Sequence, residues 1–352
     1  MDSVTRLDLL LLPEPQRVIV KLFVPGEDDA LVRSRASALI DRIAHLDDDE
    51  VSSLFRQVLQ RFGARHQDLE STFQHHYDLV RHRVTDSSDL SPTARLLVGA
   101  YFSQEYAVEG AALCNPSIVE HPNQAGLATD EVRVVISLRQ IGEGHVSSIG
   151  FSTGVIGPGI RLRVADRSGS VITGFRGSTH HRRDLLAAGL ADEGWDNEVS
   201  ATVLGSLPEY FDDGSFEQAL SLVPVDLLTR NTAQATLEQL RRTIAASYAI
   251  AFPPETPLDR RILWPVAPDE SNGMEDARFV RFVDDDGAPT YRATYTAYDG
   301  RYISARMLKT SDFCHFDMTP MRGPAARNKG MALFPRPVGG QQLALCRSDG
   351  ET

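Results

Sequence analysis

Two acids and a guanidinium fall within four residues in Glu275-Asp276-Ala277-Arg278, between a Pro-rich loop and the strand-like run Phe279-Val280-Arg281-Phe282-Val283. On a regular strand, neighbouring side chains point to opposite faces. At most one of Glu275 and Asp276 then faces a given pocket, and Arg278 shares a face with Asp276. A carboxyl beside a cation at the mouth of a strand suits acid/base chemistry. A solvated Asp–Arg pair is the commoner use of the same residues.

Other chemistry-bearing residues lie at turns. Arg327-Asn328-Lys329 precedes an apolar run, and on an extended segment the two cations share a face with Asn328 opposite. Gly142-Glu143-Gly144-His145 is a Gly-flanked loop whose glycines allow close backbone approach to a ligand. Asp299-Gly300 is a hairpin signal in its own right. Asn115-Pro116 reads as a turn. The pairs His75-His76 and His180-His181 lack an acidic or cysteine partner at ligand spacing, so they are expected on the surface and no metal is expected. No Gly-rich nucleotide loop occurs, and no cofactor is implied.

These residues must be positioned by two kinds of element. The first hundred or so residues read as helical. Val51, Leu54, Phe55, Val58, Leu59 and Phe62 form one apolar helix stripe. Asp47 to Asp49 supply its N-terminal caps and Gly63 its stop. Further helices are expected around Leu39, Ile40 and Ile43, around Leu69, Phe73, Tyr77 and Val80, and after Ser91-Pro92. Beyond about residue 112 the texture becomes short alternating runs separated by turn residues, as in Val132 to Leu138, Ile160 to Val164, Tyr291 to Tyr295, Tyr302 to Met307 and Gln342 to Cys346. That pattern suits antiparallel strands of a barrel, sandwich or propeller. A helical interruption from about Ser215 to Tyr248 carries Leu237, Leu240, Ile244 and Tyr248 on one face.

The chain of 352 residues has a net charge of −12, which disfavours general attraction to nucleic acid or an anionic membrane surface. Cys114, Cys314 and Cys346 make no even framework, which suits a reducing compartment. The run Leu9 to Leu12 is too short for a signal peptide or a membrane span, so a cytoplasmic location is expected.

Five segments, in order, resemble the inverting mannoside phosphorylases and mannosidases of glycoside hydrolase family 130. They are Cys114-Asn115-Pro116-Ser117-Ile118, then Ser137-Leu138-Arg139 with Gly144 to Phe151, then Glu275-Asp276-Ala277-Arg278, then Tyr295 to Gly300, and last Arg327-Asn328-Lys329-Gly330 to Pro335. The resemblance covers about residue 110 onward. It implies a mainly β chain: a partial five-bladed β-propeller over 111–352 with a helical insertion at about 165–260, preceded by an α-helical domain over 1–110. It departs from the family in Ala277, where Pro is usual, in the insertion, and in stopping at Thr352, about where a third blade would be finishing. The expectation is an N-terminal portion of a longer enzyme or an unusually short relative.

The resemblance makes Asp276 the proton donor. It gives Arg327, Asn328 and Lys329 to an inorganic phosphate co-substrate. It gives Asn115, Arg139, Ser147, Ser148, His145, Arg278, Tyr298 and Asp299 to the sugar pocket. The implied reaction cleaves terminal β-mannosides with phosphate and inversion, releasing mannose 1-phosphate from an oligosaccharide substrate. Two alternatives stand beside it. One is an inverting β-mannosidase using water. The other is a catalytically incomplete propeller acting as a sugar-binding or assembly module. Exposed sheet edges make a homo-oligomer one outcome of the last.

Overall fold

The computed structural model describes residues 6–25, 32–84, 90–167, 169–283, 287 and 289–347, apart from the side chains of 32–34, 160, 324 and 327. The chain divides into two compact units.

The smaller unit comprises Pro13–Ala111 with Ser168–Ile172. It holds strand β1 (Val18–Leu22), helices α1 (Val32–Ala44), α2 (Asp48–Phe62), α3 (Leu69–Val80) and α4 (Pro92–Tyr101), and strand β2 (Ser103–Ala107), which pairs antiparallel with β1. The α2 stripe forms because Asp47 and Glu50 close a reciprocal capping box at its start. Gly63 ends it in right-handed geometry and passes into a short 3-10 turn. Ile40, Val51, Phe55, Phe73, Leu97 and Phe102 share one apolar core. His76 was expected on the surface but is buried, bonded to Ser103 at 2.6 Å, because α3 turns its apolar stripe through that position. Burial lowers the His76 pKa to about 4.

The larger unit is mainly β, with one eleven-stranded sheet and several helices. Strands β3 (Ala112–Glu120), β4 (Val132–Ile141), β5 (Ser147–Gly157) and β6 (Arg161–Val164) form an antiparallel meander. After β7 (Phe175–Gly177) and β8 (His181–Arg182) come helices α5 (Arg183–Asp192) and α6 (Glu198–Ser206), strand β9 (Tyr210–Phe211), and helices α7 (Asp213–Ser221), α8 (Val225–Leu228) and α9 (Ala233–Ala245). The helices enclose a core of their own around Leu190, Val203, Phe216 and Leu240. Helix α9 ends at Ala245, so Tyr248, expected on its face, instead opens β10 (Tyr248–Ala251). His181, also expected on the surface, is buried beside Phe211 and bonds Asp213 at 3.0 Å.

After β11 (Ile262–Leu263), a second antiparallel meander follows: β12 (Gly273–Val283), β13 (Pro289–Tyr298), β14 (Ile303–Thr310) and β15 (His315–Pro320). A hairpin of β16 (Ala332–Leu333) and β17 (Ala344–Leu345) ends the described chain. The two meanders match in a detail. Each first strand slips register over three residues, between Cys114 and Ser117 in β3 and between Glu275 and Arg278 in β12. The second residue of each slip, Asn115 and Asp276, has a positive φ of 49° and 56°. Among the described residues the sheet path does not close on itself.

Among the described residues a single parallel bridge, Gly273 to Ser147, joins the meanders through their backbones. Aromatic packing reinforces that bridge. Phe151 on β5 lies 6.1 Å from Phe279 on β12 and 5.7 Å from Phe316 on β15, and Phe313 contacts all three. At the bridge, Gly273 has φ +136°, and an added Cβ would sit 2.6 Å from the Ser147 amide nitrogen. Gly273→Ala should therefore cost about 1–3 kcal/mol in chemical denaturation, through backbone strain and overpacking.

Candidate active site

The matched bulges bring Asn115 and Asp276 face to face. A bulge leaves one residue unpaired and re-aims its side chain. Asp and Asn tolerate the left-handed conformation better than most residues. Asn115 Nδ2 donates to Asp276 Oδ1 in a short hydrogen bond. A second tie between the strands runs from the Phe279 amide to Ser117 Oγ at 3.0 Å.

The regular-strand expectation fails here. Because β12 slips register at Glu275 and Asp276, both adjacent carboxyls reach the same guanidinium. Arg139 on β4 donates through Nη2 to Glu275 Oε1 at 2.7 Å and through Nη1 to Asp276 Oδ1 at 3.2 Å. Its Nε is held by Ser147 Oγ at 3.0 Å. Lys329 arrives from the segment before β16 and donates to Glu275 Oε2 at 2.6 Å, with its ammonium 5.8 Å from the Tyr298 ring centre. That segment is anchored by Thr294 Oγ1, which donates to the Met331 carbonyl at 2.6 Å. Asp276, Thr296, Asn328 and Gly330 line one small crevice.

The structure thus gathers Asn115, Arg139, Ser147, Asp276, Asn328 and Lys329. Tyr298 borders the group through Lys329, and its hydroxyl donates to the Gly300 carbonyl at 2.9 Å. Other expected residues sit elsewhere. Ser148 is fully buried and donates to Gln140 within the sheet at 3.2 Å. Arg278 lies past the bulge and is exposed. His145 is exposed at the end of a short 3-10 turn, with φ +62°. Asp299 accepts from the Arg301 and Tyr302 amides at 2.8 and 2.6 Å, which closes the β13–β14 turn. Those amides, Tyr302 first, hold its pKa below the usual carboxylate value. The side chain of Arg327 lies outside the described residues, and Asn328 Nδ2 donates to the Arg347 carbonyl at 3.3 Å.

Sequence reasoning passed over Glu275 as a site residue, although it is 6% exposed and bonded to both cations. Its place beside Asp276 was the available signal. It also missed a buried cluster on the other side of β13. There Glu270 accepts from Tyr248 and Tyr295 hydroxyls, and Arg306 donates to Tyr295 and Asp269. Nothing in local spacing joins residues so far apart.

Among the described residues no group of three or more His, Cys, Asp or Glu could hold a metal ion, and no helix is long and apolar enough to cross a membrane. No family model and no curated protein matches the chain. Among solved structures, a provisionally named glycoside hydrolase from Parabacteroides distasonis is 12% identical, with a TM-score of 0.28 over 69% of this chain. The chain spans 44% of that protein's length.

Proposed function

We propose that this chain carries the site of an inverting glycoside phosphorylase acting on terminal β-mannosides, built on blades of a β-propeller. The two matched four-stranded meanders support the blade reading, since radial repetition of such units is how propellers are made. The observation that carries the chemistry is the convergence of Arg139 and Lys329, from separate elements, on the Glu275–Asp276 pair.

In this reading Asp276 gives its proton to the departing glycosidic oxygen. Phosphate attacks the anomeric carbon from the opposite face, so the carbon–oxygen bond to the leaving sugar breaks as the bond to phosphate forms. The products are mannose 1-phosphate and a shortened saccharide. In the free protein Asp276 accepts from Asn115 and Arg139. A sugar that binds against Asp276 must take over those donors, so substrate binding and readiness of the acid are linked. Arg139, Asn328 and Lys329 supply a guanidinium, an amide and an ammonium for phosphate oxygens. The sugar pocket would draw on Asn115 and Ser147, with Tyr298 at its rim.

One observation favours water as the nucleophile instead. Both cations already have a carboxylate partner in Glu275, which reduces their pull on an outside anion. Incubation with β-mannobioses, with and without phosphate, separates the two. Phosphate-dependent release of mannose 1-phosphate is expected. Free mannose at the same rate in both arms would make it a hydrolase, and no cleavage in either would remove the glycosidase reading.

A further inference from the structure

The anion site of the proposed reaction is filled by the chain's own carboxylate. Glu275 is 6% exposed and uses both oxygens, one for each cation: Oε1 takes Arg139 at 2.7 Å and Oε2 takes Lys329 at 2.6 Å. The two cations come from different places, β4 and the segment before β16. The β12 bulge points Glu275 between them while Asp276 takes the crevice. Arg139 is further fixed by Ser147, so it is the rigid half of the pair. Lys329, 39% exposed at its side chain, is the movable half.

We infer that Glu275 is a positioning residue that holds Arg139 and Lys329 as one anion-binding pair and sets how strongly they take an incoming oxyanion. The inference rests on the phosphorylase reading of the site. A phosphate must compete with Glu275 for the same donors. The carboxylate keeps two like charges close together when the site is empty, and it weakens the site for chance anions. It thereby tunes phosphate affinity without touching the sugar. Its chemistry differs from that of Asp276, since no proton needs to move at Glu275.

Glu275→Gln leaves the side-chain size unchanged and adds one net positive charge beside the two donors. Phosphate should then bind about tenfold more tightly, with a steeper dependence on ionic strength. Binding is read by phosphorus NMR or calorimetric titration with inorganic phosphate alone, so turnover is not needed. A merely structural Glu275 would lower the melting temperature and leave phosphate affinity unchanged or weaker, and that result overturns the inference. Phosphate binding too weak to detect in both proteins overturns it as well. The separate water and phosphate arms of the cleavage assay still judge the enzyme reading on their own. Should Glu275→Gln fail to fold, Lys329→Gln decides, because Lys329 is partly exposed on a connecting segment. It should weaken phosphate binding about tenfold, and unchanged affinity would sink the proposal.

Discussion

Asp276→Asn is expected to lower kcat on β-mannobiose plus phosphate by about 10²–10⁴-fold, the usual contribution of a positioned general acid. Its fold should survive. Asn at 276 has the same shape, and an amide oxygen can still accept from Asn115 or Arg139, which now hold the carboxyl. What is lost is the proton. A mannoside with a good leaving group, such as a nitrophenolate, needs little protonation as it departs. The variant should therefore be impaired far less on that substrate than on the disaccharide. Equal loss on both would point to damaged binding or folding. Full activity on the disaccharide would remove Asp276 from its role.

The sequence made this acid visible but misread its setting. Alternation along a strand places Glu275 and Asp276 on opposite faces, yet both bond Arg139. The error traces to a backbone angle: Asp276 at φ +56° belongs to a bulge, and Ala277 beyond it is buried while Arg278 turns outward. Asn115 at φ +49° is the same device in the other meander, which the Asn-Pro pair disguised as a plain turn. The only trace in the sequence is that both positions hold Asn or Asp, which accept positive φ. Helices were easier to read. The α2 stripe and its Asp47 cap depend on neighbours three and four residues apart, so local pattern suffices. The Tyr248 hydroxyl shows the opposite case. Its place on a helix face looked regular, but the helix ends at Ala245 and Tyr248 pairs with Met318 of β15, a partner far off in sequence, while its hydroxyl bonds Glu270.

That Glu270 contact marks where the sheet unit should be most sensitive to a single change. Glu270→Ala is expected to destabilise the unit by about 3–5 kcal/mol, the range for removing one partner of a buried charge pair. Glu270 and Arg306 are both fully buried, with Arg306 Nε 3.1 Å from the carboxylate. The same carboxylate accepts from the Tyr248 hydroxyl at 2.8 Å and the Tyr295 hydroxyl at 2.6 Å. It also accepts from the Val266 and Ala267 amides at 3.0 and 2.9 Å. Removing it leaves two buried hydroxyls and the buried Ala267 amide without that acceptor. Arg306 would keep Asp269 at 2.8 Å and the Ala246 carbonyl, which limits the loss on its side. Glu270→Gln, which retains an acceptor and the volume, should cost less than Glu270→Ala. Urea unfolding followed by tyrosine absorbance should show the loss in the transition of the sheet unit, and the helical unit should keep its own midpoint. The cluster also fixes a direction in pH. Burial, before any charge, raises the Tyr248 and Tyr295 pKa values well above normal, so the folded state keeps protons that the unfolded state releases. Their contribution is complete below about pH 10 and is lost as pH rises beyond it. A change below about 1 kcal/mol in Glu270→Ala, with no alkaline loss in the wild type, would mean that water or a shifted side chain satisfies these groups; the network would then not be what locks β10 to β13 and β14.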